Sequence, residues 1–145
     1  MTTIGQLLDK KGHEVWSISP DASVYDALRM LAERNIGALL VIRGETLEGI
    51  VSERDYARKV ILKGKASMKT PVREIMTSEV VAIEPGCTIE EGMALMTEKR
   101  LRHLPIVEGD NVVGMISIGD LVKGIIEDQE FMIDQLEKYI SGTQR

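Results

Sequence analysis

The chain has 145 residues, a net charge of −5, 43% apolar residues and 28% charged residues, a composition typical of one ordinary globular domain. This balance excludes a general attraction to nucleic acid or to an anionic membrane surface, and no apolar run approaches the ~20 residues that a membrane helix needs. The single cysteine, Cys87, excludes an intramolecular disulfide. With no apolar signal-peptide core at the N-terminus, the expected location is cytoplasmic.

The first half of the chain alternates short apolar runs with amphipathic stretches. The i, i+3, i+4 spacing of Ile4, Leu7 and Leu8 predicts a short first helix. The capping-box pattern that begins at Ser23 predicts a helix through Arg34. Ser52 is placed to cap a further helix to about Lys63. The predicted strands of this half are residues 15–18, 38–42 and 47–51.

The second half repeats the same order after a basic, turn-prone segment at residues 63–71. Thr88 begins another capping box, and a helix with Met93 and Met96 on its apolar side should follow. The last helix should start near Gly119, and the pattern leaves open whether it continues into the amphipathic stretch 131–140. The predicted strands of this half are residues 80–83, 104–107 and 112–117.

The two halves are copies of one unit. Residues 15–61 align with residues 80–126 without a gap, and Gly49-Ile-Val-Ser-Glu-Arg-Asp55 corresponds to Gly114-Met-Ile-Ser-Ile-Gly-Asp120. The sequence therefore predicts an α+β fold of two β-α-β-β-α repeats packed face to face. The first repeat is assigned to residues 1–66, and the second, with a C-terminal helical extension, to residues 67–145.

Each copy places a serine and an aspartate, three residues apart, where a strand gives way to a helix: Ser52 with Asp55, and Ser117 with Asp120. A carboxylate at such a junction can accept both hydroxyls of a ribose, and the free amides of the helix start can bind phosphate. The same spacing is also a capping box, which needs no ligand. Spacing alone leaves both interpretations open.

Three basic residues near these junctions are candidate phosphate contacts. Arg102 and His103 stand where copy one has Gly37 and Ala38, and arginine offers a planar fork that suits phosphate. Arg54 lies in the first turn of a helix, where a cation opposes the helix dipole unless an anion is near. The alternatives are a solvated strand end and a surface arginine paired with a neighbouring carboxylate.

Two copies that end in Gly-apolar-apolar-Ser-x-x-Asp resemble a tandem pair of CBS (cystathionine β-synthase) domains, a Bateman module. Met76-Thr77 and Arg102-His103-Leu104-Pro105 also match that family. The resemblance covers almost the whole chain, which is similar to the stand-alone prokaryotic members of the family. It implies a regulatory module, not an enzyme, that binds an adenine nucleotide in clefts between the repeats.

The resemblance also implies which residues form the site. Asp120, Ser117, Arg102 and His103 would hold ribose and phosphate, with Arg54 reaching in from the other copy. The site on Asp55 and Ser52 lacks the basic pair and should hold phosphate less well. The base would meet Thr77, Val81, Ile83 and Pro105 in one site, and in the other a wall that includes Trp16, Ile18 and Ala38.

AMP is the favoured ligand, with ADP, ATP, an NAD-type dinucleotide or S-adenosylmethionine as the other candidates. The resemblance further implies a homodimer and a regulated protein in trans, with no nucleic acid, no membrane and no metal required for the fold. One alternative is a ligand-free interaction module that docks a partner protein. Another is an enzyme acting on nucleotides, against which the absence of a recognisable nucleophile–base set argues.

Overall fold

The computed structural model describes residues 1–142. The helices are α1 (Ile4–Lys11), α2 (Val24–Arg34), α3 (Glu53–Tyr56), α4 (Ile89–Lys99) and α5 (Ile118–Ser141). The strands are β1 (Ser17–Ile18), β2 (Ala38–Arg43), β3 (Thr46–Ser52), β4 (His103–Glu108) and β5 (Asn111–Ser117). None of the helices within these residues is long and apolar enough to cross a membrane.

The chain forms two compact units. The first-repeat unit comprises residues 15–81, and the second-repeat unit joins residues 1–14 to the chain from residue 82 onward. This division differs from the assignment of residues 1–66 and 67–145, because α1 packs with the second repeat and residues 67–81 pack with the first. The predicted α+β repeats are confirmed in both units.

Side-chain caps start the helices where the sequence predicts them. Thr88 and Glu91 form a complete capping box at α4, and Ser52 with Asp55 and Ser117 with Asp120 do the same at α3 and α5. At α2 the Ser23 hydroxyl accepts the Asp26 amide at 3.1 Å. Each cap satisfies an amide that would otherwise lack a partner at the helix start.

Each unit is built on an antiparallel hairpin with the same irregularity. Strand β2 pairs with β3, and β4 pairs with β5, and each register shifts at equivalent positions, between Val41 and Ile42 and between Ile106 and Val107. In the first-repeat unit β1 adds in parallel beside β2. The equivalent edge of the second-repeat unit has one parallel bridge, between Ile83 and Ile106.

The strand predicted at residues 80–83 is therefore reduced to a single paired residue, and Pro105 explains the loss. In copy one the Leu40 amide donates to the Trp16 carbonyl at 3.1 Å. Pro105 occupies the position equivalent to Leu40 and has no N–H to donate. Ile83 keeps its two bonds, with its amide on the Pro105 carbonyl at 3.1 Å and its carbonyl accepting the Val107 amide at 2.9 Å.

The helix predicted from Ser52 to Lys63 is also interrupted. After the four residues of α3 the chain continues as a π-helix over Ala57–Ile61. Within this segment Lys59 contacts two acceptors, the Asp55 carboxylate at 3.1 Å and the Ile75 carbonyl at 2.9 Å. In copy two the helix continues without a break as α5.

The segments that precede the repeats are exchanged between the units. In the first-repeat unit the amides of Val72 and Arg73 donate to the carbonyls of Ala22 and Pro20 at 2.8 and 3.0 Å. In the second-repeat unit the corresponding bonds run from Ile4 to Cys87 at 2.7 Å and from Gly5 to Pro85 at 2.9 Å. Each lead-in thus docks on the loop in front of the other copy's first long helix.

The repeated glycines mark where these lead-ins cross the hairpins. A Cβ on Gly49 would lie 2.8 Å from both the Met76 sulfur and the Thr77 carbonyl oxygen, and one on Gly114 would lie 2.6 Å from Leu8 Cδ1. Both distances are too short for a real contact, so a side chain at residue 49 would clash with backbone, and one at residue 114 would require the end of Leu8 to shift. The repeat alignment therefore has glycine at both positions, 49 and 114, because a lead-in crosses the hairpin there in each unit.

Candidate functional site

Asp120 is fixed at the junction of β5 and α5 by its own capping box. Its Oδ2 accepts the Ser117 amide at 2.8 Å, and the Ser117 hydroxyl accepts the Asp120 amide at 3.1 Å. Ser117 is the last residue of β5 and the N-cap of α5. The first turn of that helix brings the Asp120 carboxylate back over the Ser117 backbone. The capping role weighed from the spacing is therefore real in copy two.

Lys11 is the second partner of this carboxylate. Its ammonium lies 2.7 Å from Asp120 Oδ2 and donates to the Met115 carbonyl at 2.6 Å. Burial by itself raises the pKa of Asp120, but the bonds from Lys11 and Ser117 outweigh it and hold that pKa below its usual value. Both bonds fall on Oδ2, which leaves the lone pairs of Oδ1 for a further donor from outside the described chain.

His103 lies directly beside this cap, because β4 pairs it with Ser117 across the hairpin. Burial lowers the pKa of His103, and the cations of Lys11 and Arg102 lower it further while Asp120 acts in the opposite sense. The lowered pKa favours the neutral form of the imidazole. In that form the ring has one donor and one acceptor nitrogen and adds no positive charge to the site.

A cleft of about 310 Å³ opens beside Asp120 between α1 and α5. Cations face it from both helices, and Lys10 lies 4.0 Å from Glu127 across it. Its lining consists of Leu7, Lys10, Lys11, Asp120, Lys123 and Glu127. The volume falls at the lower end of the range for small-ligand sites, and its charged lining suits a polar, anionic ligand.

Asp55 lies at the equivalent position in the first-repeat unit, and both of its carboxylate oxygens have partners. Its Oδ2 accepts both the amide and the hydroxyl of Ser52, at 2.9 and 3.1 Å, while Oδ1 lies 3.1 Å from Lys59. Its side chain is 15% exposed, against 26% for Asp120. The two aspartates share a geometry, but Asp120 has more carboxylate surface available.

The other residues expected around the two sites divide between the units. In the second-repeat unit Arg102 is exposed, whereas Pro105 and Ile83 are buried in the sheet. The residues that fall in the first-repeat unit are Arg54, Thr77, Val81, Ala38, Ser52 and Asp55. Arg54 is exposed and Val81 half-buried, while Thr77 exchanges two backbone bonds with Ile50, at 2.8 and 3.0 Å.

The apolar wall expected in copy one offers little free surface. Ala38 is fully buried and Ile18 is 9% exposed. Trp16 is half-buried, and the Arg34 guanidinium stacks 4.2 Å from the centre of its ring. A base that stacks on this ring would have to share it with that arginine, which already makes a cation–π contact.

Sequence reasoning missed Lys11 as a member of the second site and gave no role to the neighbouring His13. Both lie at the end of the N-terminal segment that precedes the first copy, for which the sequence predicts a short helix and no site residue. The His13 ring contacts the Asp9 carboxylate at 2.9 Å and the Val113 carbonyl at 3.1 Å. Both partners are acceptors, so both contacts are hydrogen bonds only in the imidazolium form, and they raise the pKa of His13.

These features define a class: a tandem-repeat protein in which each β-α-β-β-α repeat carries a capped aspartate at a strand–helix junction. The CBS domain model matches residues 6–62 and 72–127. The chain therefore belongs to the CBS-domain family, with two repeats. Within residues 1–142 no group of three or more His, Cys, Asp or Glu side chains is arranged to hold a metal ion.

Relatives and solved structures agree with this assignment. The chain is 37% identical over 151 residues to the mitochondrial CBS domain-containing protein CBSX3 of Arabidopsis thaliana, covering 97% of this chain and 73% of that protein. A putative signal-transduction protein with CBS domains from Burkholderia ambifaria is 50% identical with a TM-score of 0.85, covering 88% of this chain and 96% of that one. The CBS domain pair of protein MJ0100, solved with 5′-methylthioadenosine and S-adenosyl-L-methionine, shares the fold at 20% identity and a TM-score of 0.78, covering 88% and 98%.

Proposed function

We propose that this protein is a regulatory module that binds an adenine nucleotide, with AMP favoured, at the site built on Asp120. The observation that supports the proposal is the set of hydrogen bonds that holds that carboxylate. It is held by the Ser117 cap and by Lys11 through Oδ2, and Oδ1 can accept a ribose hydroxyl. A carboxylate fixed in place before binding loses little side-chain freedom when the ligand arrives.

Support for an adenosine ligand comes from the MJ0100 pair. The two compounds named in that structure both contain adenosine. Their common part includes a ribose with adjacent 2′ and 3′ hydroxyls, which can donate to the two oxygens of one carboxylate. We carry over only this common chemistry, because the low identity of that pair supports no closer comparison.

The charges around Asp120 favour a ligand with phosphate over a neutral nucleoside. Lys10, Lys11 and Lys123 line the adjacent cleft, and the exposed Arg102 precedes His103 on β4. Ammonium and guanidinium groups form charge-assisted hydrogen bonds with phosphate oxygens. The Asp55 site has Gly37 and Ala38 in place of Arg102 and His103. Because it lacks the Arg102 guanidinium, we propose that it binds phosphate more weakly.

In this proposal Lys11 couples ligand binding to the N-terminal helix. A ribose bonded to Asp120 would compete for Oδ2, and the Lys11 ammonium would move toward the phosphate. Because Lys11 ends α1, a change at Asp120 would be felt by that helix. The regulated protein would act in trans, and the module would work as a homodimer whose populations shift with the ligand.

Isothermal titration calorimetry of the whole protein with AMP tests the proposal. Asp120→Asn keeps an oxygen for the Ser117 amide but removes the charge, so we expect about 10- to 100-fold weaker binding. Asp110→Asn is the matched control, an exposed aspartate in the β4–β5 turn of the same unit, and should bind as the wild type does. ADP, ATP, 5′-methylthioadenosine and S-adenosylmethionine, titrated in the same way, rank the ligands.

Two results would overturn the proposal. If no adenine compound binds the wild-type protein, the alternative of a ligand-free module that docks a partner protein takes its place. If AMP binds but Asp120→Asn binds it equally well, the ligand lies elsewhere. Melting of each ligand-free variant shows that a loss of affinity is not a loss of folding.

A further inference from the structure

The C-terminal part of α5 leaves an apolar stripe uncovered. Up to Asp128 the helix is tied to its unit, with Leu121 and Gly124 buried and Asp128 accepting a hydrogen bond from Thr2 at 2.6 Å. From residue 129 to residue 141 every residue is exposed. The large apolar side chains of this stripe, each 54% to 79% exposed, are Phe131, Met132, Ile133, Leu136 and Ile140.

A bare helix of this length is only marginally stable in water, because most helical stability in proteins comes from packing of an apolar face. Large exposed apolar patches commonly mark interaction sites. The stripe also begins earlier, in a shallow groove of about 610 Å³ along α5 to which Ile118, Val122 and Ile126 contribute. One continuous face of α5, formed by Val122, Ile126, Ile133, Leu136 and Ile140, is therefore exposed.

The spacing of this face is that of a coiled coil. Residues 122, 126, 129, 133, 136 and 140 alternate steps of four and three, the pattern of a heptad core. All three of its a positions are isoleucine: Ile126, Ile133 and Ile140. The d positions are Val122, Gln129 and Leu136. Isoleucine at a, with leucine at the d position of Leu136, favours two strands over a larger bundle.

We propose that α5 pairs with α5 of a second copy of this chain as a parallel two-stranded coiled coil. Gln129 favours the parallel direction over the antiparallel one. In a parallel pair in register the two Gln129 side chains meet, and each amide can donate to and accept from the other. In an antiparallel pair each Gln129 would face an isoleucine and leave a buried amide without a partner, which is costly.

The charged residues beside the heptad core also favour the parallel direction. Glu130 and Glu137 occupy e positions, beside the seam. An antiparallel pair sets e positions of the two chains against each other and would bring these carboxylates together. A parallel pair sets them against g positions, which hold Ile125, Met132 and Tyr139. The parallel arrangement avoids this contact between carboxylates.

This inference deepens the proposed homodimer and does not depend on nucleotide binding. Sedimentation of the whole protein without ligand tests it by mass. Wild type should be a dimer at micromolar concentration, and Ile133→Lys with Leu136→Lys should be a monomer. Phe131→Lys is the matched control, an equally exposed apolar residue of the same helix outside the heptad core, and should remain a dimer.

Disulfide trapping tests the direction in a Cys87→Ser background. Ile140→Cys should form a covalent dimer under mild oxidation, because only a parallel pair brings the two positions together. Lys138→Cys, on the outer side of the helix, should not. A monomeric wild type, a dimer indifferent to the lysine pair, or trapping of Lys138→Cys in preference to Ile140→Cys would overturn the proposal. A failure of AMP to bind would leave all of these results unaffected.

Discussion

Asp120 and Asp55 hold the same capping position, yet a lysine reaches each of them from a different part of the chain. Lys59 follows Asp55 by one helical turn, whereas Lys11 comes from the N-terminal helix. In both cases the ammonium also bonds a backbone carbonyl, of Ile75 or of Met115. A lysine on the aspartate is thus a common feature of both sites that repeat alignment alone did not predict.

The two histidines should give opposite pH dependence to stability. His103 has a pKa below its usual 6.5, so the unfolded chain binds the proton first and stability falls as the pH drops through that value. His13 has a raised pKa, so its contribution is fully present below 6.5 and is lost as the pH rises through the higher folded value. Urea unfolding between pH 5 and 8 measures both effects.

We expect His103→Gln to reduce the loss of stability on acidification and His13→Gln to reduce the loss at the alkaline end. Each variant serves as the control for the other, since each removes one histidine from the second-repeat unit. Parallel pH profiles for the wild type and both variants would contradict the assignment of these pKa shifts to folding.

Among the helices and strands, the repeat pattern predicted the hairpins, the caps and the long helices correctly. The prediction was wrong where a single residue changes which backbone hydrogen bonds can form. Pro105 removes the donor that Leu40 supplies in copy one, and the first strand of copy two is lost with it. The π-helical turn at Ala57–Ile61 has no signal in the apolar spacing, which is that of an ordinary helix.

Alanine substitutions at the glycine crossings test how tightly the lead-ins pack. Gly49→Ala should reduce the free energy of unfolding by about 1–3 kcal/mol, the usual effect of overpacking, because its Cβ would meet the fixed Thr77 carbonyl at 2.8 Å. Gly114→Ala should be milder, since its neighbour is the flexible end of Leu8. Chemical denaturation gives both values.

Gly86→Ala is the control for these substitutions. It lies in open space, with nothing within 4 Å of the added Cβ, and should change stability by less than about 0.5 kcal/mol. If Gly49→Ala proved as mild as Gly86→Ala, the close approach of residues 76 and 77 to β3 would be wrong.

For the chain as a whole, the sequence predicted the repeats and the family but not which repeat each lead-in would join. Alignment shows that residues 4–8 and 72–76 are equivalent segments, and equivalence does not say on which hairpin each one packs. Leu8 lies against Gly114 and Met76 against Gly49. The same uncertainty hid Lys11, whose role depends on α1 belonging to the second-repeat unit.

The exchange predicts which unit each lead-in mutation will weaken. Leu8 and Ile75 are each 1% exposed, so truncation of either to alanine should cost about 2–5 kcal/mol. In native-state hydrogen exchange, Leu8→Ala should speed exchange in β4, β5 and α4, and Ile75→Ala should speed it in β2, β3 and α2. The opposite pattern, or an equal effect on both units, would contradict the exchange.

The exchange also affects the order in which the chain can fold. Residues 15–81 are contiguous, so the first-repeat unit has all of its contacts available once residue 81 has left the ribosome. Helix α1 is synthesised earlier, but its apolar face must wait for residues 82 and beyond. Closing so long a loop is slow compared with local contacts. Helix α1 is made before the first-repeat unit and is therefore expected to be buried after it.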